Sequence, residues 1–79
     1  MSVFTPLPIV PVAGSTNVKG VGYDPATYTM DVQYHAGGVY RYHGVPPPVH
    51  DGLLASRSKG EYVRTAIRGR FRHSHIVKG

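Results

Sequence analysis

The sequence predicts an α+β domain, a three-stranded antiparallel β-meander packed on one face by two short helices, with an extended proline-rich N-terminal arm ahead of it. Three observations carry this. Val39-Tyr40-Arg41-Tyr42-His43 alternates with period two, which sends Tyr40 and Tyr42 to one face of a strand and Val39, Arg41 and His43 to the other. Pro46, Pro47 and Pro48 stop that strand, because proline lacks the N–H of a ladder yet fits the first turn of a helix. Beyond them the apolar spacing changes to three and four, the period of a helix face.

Residues 3–12 interleave prolines with apolar side chains and predict an extended or polyproline-like arm, not a central strand. Phe4, Leu7, Ile9 and Val10 are too apolar for a free tail. The arm therefore packs on its own domain or on a neighbouring subunit, and the second option makes it the contact of a homo-oligomer. Residues 13–16 are the hinge. Residues 17–23 predict a first strand, in which Gly20 and Gly22 mark a bulge or a close backbone approach. Asp24-Pro25-Ala26-Thr27 is a turn. Over residues 28–35 a second strand points Met30, Val32 and Tyr34 one way and Thr29, Asp31 and Gln33 to an exposed face; Ala36-Gly37-Gly38 then closes a hairpin.

Residues 47–55 place Val49 with Leu53, and His50 with Leu54, at i, i+4 on a first helix that Gly52 weakens. The second helix opens on Ser58-Lys59-Gly60-Glu61, the pattern of a capping box. Tyr62, Val63, Ala66 and Ile67 form its apolar stripe, Arg64 and Arg68 lie one turn apart on the opposite side, and Gly69 ends it. This divides the chain into arm and hinge (1–16), domain (17–70) and a basic tail (71–79), whose alternation of Arg70 and Arg72 with Phe71 and His73 fits an edge strand or a mobile end.

At 79 residues there is room for one small core, near the size limit for independent stability. No cysteine is present, which excludes disulfides, thiolate metal sites and thiol chemistry. No apolar run approaches the roughly 18 residues of a membrane span, and the first residues lack a basic start, so a soluble, cytoplasmic protein without a membrane partner is expected. Residues 1–56 carry two basic against three acidic side chains, a net of −1, whereas residues 57–79 carry seven against one, a net of +6. A field so concentrated attracts phosphates and polyanions.

Ser15, Gly22-Tyr23-Asp24, Met30-x-Val32-x-Tyr34, Gly38-x-Tyr40-x-Tyr42-x-x-Val45-Pro46, Leu53, Ser58-x-Gly60-x-Tyr62 and Ile67-Arg68 together resemble the KTSC domain family over roughly residues 15–70. The resemblance implies a short domain with a central Tyr-x-Tyr, found after some bacterial lysyl-tRNA synthetases and as stand-alone bacterial and phage proteins, with RNA binding the suggested role. His50 stands where that family usually has an aromatic residue, and Ser56 where alanine is frequent.

Enzyme chemistry finds no support. Asp24, Asp31, Asp51 and Glu61 are scattered, with no paired carboxylates, and Ser58 is accounted for as a cap. His73-Ser74-His75 supplies at most half of a metal site, so neither metal nor cofactor is expected. An anion site is better supported: free N–H groups and the positive dipole end of the second helix meet Arg57, Ser58, Lys59 and Gly60, the glycine leaving the approach open. Arg64 and Arg68 extend this charge, and Arg41 and His43 join it if the outer sheet face lies nearby. Tyr40 and Tyr42 are expected in the core; on an open face they would stack bases instead. The expected function is non-catalytic binding of a phosphate-bearing nucleotide, in the manner of a small phage homo-oligomer that sequesters a host nucleotide signal. An RNA- or tRNA-associated module and a basic module that meets an acidic protein remain as alternatives.

Overall fold

The computed structural model describes residues 6–77; the expectations for residues 3–5 of the arm and for Lys78 lie outside them. Eight elements follow in order: β1 (Val10–Pro11), β2 (Val18–Asp24), β3 (Thr29–Tyr34), β4 (Val39–Tyr42), α1 (Pro47–Ala55), α2 (Lys59–Tyr62), a π-helical continuation of α2 (Val63–Ile67) and β5 (His73–Val77). The strands form one antiparallel sheet in the order β1-β2-β3-β4-β5. The class is α+β as expected, but the sheet has five strands where three were predicted. Both extra strands sit at the edges, where sequence signals are weakest. Proline is tolerated in β1 because an edge strand leaves half of its backbone groups unpaired, and β5 forms where the basic tail was expected, with Val39 opposite Val77 and Tyr42 opposite His73.

Alternation on β2, β3 and β4 places Val21, Met30, Val32 and Tyr42 on one face, and α1, α2 and the π-helical segment cover it with Leu53, Val63 and Ile67. Val45, at the entry to α1, completes this layer: its N–H donates to the Tyr28 carbonyl at 2.7 Å and its carbonyl accepts from the Tyr23 hydroxyl at 2.6 Å. Each such fully buried aliphatic side chain contributes roughly 1.5–3 kcal/mol.

The arm covers the opposite face of its own sheet. Val10–Pro11 pairs with Gly20–Val21 along the edge, and Leu7 and Pro8 cross above Gly22, where a Cβ would lie 2.7 Å from the Pro8 carbonyl. Gly20 and Gly22 therefore mark both features expected of them, since the ladder also shifts register between Val18 and Gly20. This cover changes the place of Asp31, expected on an exposed face but 0% exposed. Its Oδ1 accepts from Arg41 Nε at 2.8 Å, and its Oδ2 accepts from Arg41 Nη2 at 2.9 Å and from the Leu7 N–H at 2.8 Å. The hydrogen bonds to Asp31 raise the pKa of Arg41 above its ordinary value.

In α1, Gly52 has a packing role that outweighs its poor helix propensity. A methyl group there would overlap the Tyr62 hydroxyl, which donates to the Val49 carbonyl at 3.0 Å and ties α2 to α1. Two residues earlier His50 lies flat on Tyr23, with ring centroids 4.3 Å apart and planes 8° from parallel. An imidazole thus fills an aromatic position. Burial lowers its pKa below the ordinary value, an effect that Asp51, 3.8 Å away, partly offsets. The neutral ring is the form the fold prefers. Its contribution is complete above the unfolded-state pKa of about 6.5 and declines as pH falls through that value toward the lower folded one. We expect the melting temperature to drop between about pH 7 and pH 5, and His50→Phe to flatten that drop; an equally steep profile in the variant would contradict the assignment.

Candidate ligand-binding site

At the ends of β3 and β4 a cavity opens beside the helical layer, and its wall is aromatic. Tyr34 and Tyr40 are half-buried there, with rings edge-to-face at 84° and centroids 5.5 Å apart. On the far side His75 of β5 lies flat against Tyr40, at 4.2 Å and 10°. Tyr42 is the more deeply placed of the Tyr-x-Tyr pair, 1% exposed, and its hydroxyl shares a 3.1 Å hydrogen bond with that of Tyr34. Burial raises the pKa of both phenols; their mutual hydrogen bond adds to this at Tyr42 and opposes it at Tyr34, and the nearby Arg68 charge opposes it at both. These hydroxyls are protonated at neutral pH and offer hydrogen bonds rather than charge. Together with Thr16, Asn17, Gly37 and Arg68 the tyrosines line a cavity of about 280 Å³. The expectation that Tyr40 and Tyr42 are both core thus holds for Tyr42, whereas Tyr40 is half-buried, packed against the core on one side and lining the cavity on the other.

A second cavity, of about 240 Å³, opens beside the first and shares Thr16 and Asn17 with it. Its walls are the 14–17 loop and the start of α2, including Arg57, Ser58, Lys59, Gly60 and Arg64. The loop is well anchored. Ser15 Oγ accepts from the Val18 N–H at 2.9 Å, the Ser15 carbonyl lies 3.1 Å from His35 Nε2, and the Asn17 carbonyl accepts from the His35 N–H at 2.9 Å. Gly14 enters the loop with φ +76°, a conformation that favours glycine.

Five of the eight residues expected at the anion site, Arg57, Ser58, Lys59, Gly60 and Arg64, therefore converge on one cavity, and Arg68 lines the neighbouring one. The separation of Arg64 from Arg68 follows from the π-helical turn, closed by an Arg68 N–H to Val63 carbonyl bond of 2.8 Å. That wider turn shifts the phase of the residues beyond it, and such turns are frequent at functional sites. Arg41 and His43 are not brought to the site. Arg41 is held by Asp31 under the arm on the opposite face, and His43 is exposed near Ser74, with Nε2 to Oγ at 3.4 Å.

Two local expectations at the start of α2 need correction. No capping box forms: Ser58 makes no side-chain cap bond, and its N–H, the group Glu61 would have bonded, donates instead to Ser56 Oγ at 3.2 Å, which in turn donates to the Ser58 carbonyl at 3.0 Å. Glu61 instead accepts from Arg64 Nη2 at 2.8 Å in an exposed pair that adds little stability. The space above Gly60 is not open either, since the Asn17 side chain fills it, its Nδ2 3.1 Å from where a Cβ would stand. Asn17 so faces both cavities, and with Thr16 it is the part of the site that sequence reasoning missed. Lys59 Nζ donates to the Ser56 carbonyl at 2.8 Å, which fixes its ammonium at the rim. Among the described residues no group of three His, Asp or Glu side chains forms a metal cage, and His73 and His75 pack on tyrosine rings.

The KTSC domain family model matches residues 14–71, which spans the whole of this site. The chain belongs to the KTSC domain family. A KTSC domain protein from Yersinia pestis has the same fold in its crystal structure, with a TM-score of 0.82 and 32% identity over 86% of this chain and 94% of that one. A protein of Tsukamurella paurometabola is 40% identical over 58 residues, 73% of this chain and 87% of its own length. A lysine–tRNA ligase of Nostoc punctiforme is 32% identical over 69 residues, which cover 87% of this chain but 12% of that enzyme. The KTSC unit is thus a small part of the ligase. No helix among the described residues is long and apolar enough to cross a membrane.

Proposed function

We propose that this KTSC domain is a non-catalytic binder of a phosphate-bearing nucleotide, with the phosphates held in the polar cavity between the 14–17 loop and the start of α2. The observation that carries the reading is the convergence of Arg57, Lys59 and Arg64 on that cavity, directly beside one lined by tyrosines. Glu61 lines the same wall and pairs with Arg64, so the cavity carries three cations against one carboxylate, and this net positive charge favours an anion through charge-assisted hydrogen bonds. Sequestration of a nucleotide signal needs nothing beyond such binding.

Replacing Arg57 and Lys59 together by alanine is expected to weaken binding of nucleoside diphosphates about tenfold or more, with little change in melting temperature, since both side chains supply charge rather than packing. Calorimetric titration with ADP, GDP, CDP and UDP checks this. Undiminished affinity in the double variant would remove the phosphates from this cavity. A second reading, binding of single-stranded RNA, is favoured by the similarity to a lysine–tRNA ligase. A polymer contacting several of these cations would show a steep salt dependence, with log K falling by about 0.7 per phosphate neutralised for each unit of log salt. A diphosphate would show a shallow one.

A further inference from the structure

Resting on the reading of the polar cavity as a phosphate site, we propose that the adjoining aromatic cavity is a nucleobase subsite, in which an unpaired base lies against Tyr34 and Tyr40 with its edge facing Asn17 and Arg68. The argument begins with contiguity. The two cavities share Thr16 and Asn17, so a ligand with phosphates beside Lys59 needs no gap to reach the tyrosines. A volume of about 280 Å³ is enough for a single base and its sugar.

The second part of the argument is that the rings are fixed in place. Tyr40 is held flat by His75, the Tyr34 ring stands nearly perpendicular to it, and the Tyr34 hydroxyl is bonded to the buried Tyr42. His75 does not line the cavity, so its contact supports the Tyr40 ring from behind without occupying the subsite. A platform that needs no reordering on binding retains more of the stacking free energy. The polar groups at its rim are chemically suited to a base edge: the Asn17 amide can donate and accept, and the Arg68 guanidinium is donor and cation over an aromatic plane. A duplex hides its base faces in the stack, whereas an unpaired base presents its face to such rings.

The test compares ADP, GDP, CDP and UDP with inorganic pyrophosphate, which carries the charge and no base, in the full chain. At least one nucleotide is expected to bind about tenfold more tightly than pyrophosphate, the increment typical of one stacked base. Tyr40→Ala should reduce that nucleotide to the pyrophosphate level and leave pyrophosphate affinity unchanged; Tyr40→Phe, which keeps the ring, should retain the difference. The unaltered protein provides a readout free of any folding defect, because a stacked base shifts the Tyr34 and Tyr40 ring proton resonances and pyrophosphate does not. Equal affinities for all five compounds, with unmoved ring resonances, would overturn the base subsite and leave the phosphate site standing. Failure of all five to bind would bring down both.

Discussion

Arg41→Ala is expected to lower the unfolding free energy by about 3–5 kcal/mol, the range for breaking a buried ion pair from one side. Asp31 is fully buried under the arm, and both of its oxygens face Arg41, at 2.8 and 2.9 Å. Without the guanidinium the carboxylate keeps, among the described residues, the Leu7 N–H alone, so its desolvation is left largely uncompensated. Asp31→Asn in the Arg41→Ala background should recover part of the loss, because an unpaired amide is far less costly to bury than a carboxylate. Denaturant melts of the two variants settle the point. A loss below about 1 kcal/mol in Arg41→Ala would place the pair among exposed salt bridges.

Gly22→Ala is expected to dislodge the arm and destabilise the fold by about 1–3 kcal/mol, the range for overpacking a close contact. Its Cβ would stand 2.7 Å from the Pro8 carbonyl and 3.0 Å from Leu7 Cβ, and the first of these is backbone that no rotamer change can move aside. Once the arm lifts, the Leu7 N–H leaves Asp31, which couples this defect to the ion pair. Limited proteolysis should then cut residues 6–12 well before the domain; equal protection of the arm in both proteins would show that it tolerates the methyl group.

The strand pattern of this domain was legible because its two faces differ chemically: Met30, Val32 and Tyr34 against Thr29, Asp31 and Gln33 leave one register for β3. Periodicity does not say what lies above a face, and that is where expectation and structure part. Asp31 sits on the polar side of the alternation yet is buried, because the cover comes from residues more than twenty positions away. Gly20 and Gly22 carried the sign of it in the sequence. Tyr40 and Tyr42 share a face and a period, and no local pattern encodes that Tyr42 is fully buried while Tyr40 is half-buried. The capping box failed for a similar reason, since Ser56 two residues earlier competes for the Ser58 backbone. Asn17 was not legible at all: a polar residue before a strand is ordinary, and only the fold brings it over Gly60.

The measurement that tests the central claim most directly is backbone amide shift mapping of the isotopically labelled chain titrated with ADP, GDP, CDP and UDP. Binding in the polar cavity should move the amides of residues 14–17 and 57–64 and leave those of Leu7, Asp31, Arg41 and His43 on the other side of the sheet in place. Shifts confined to Arg41, His43 and Ser74, or none at all at millimolar nucleotide, would contradict the assignment of this cavity.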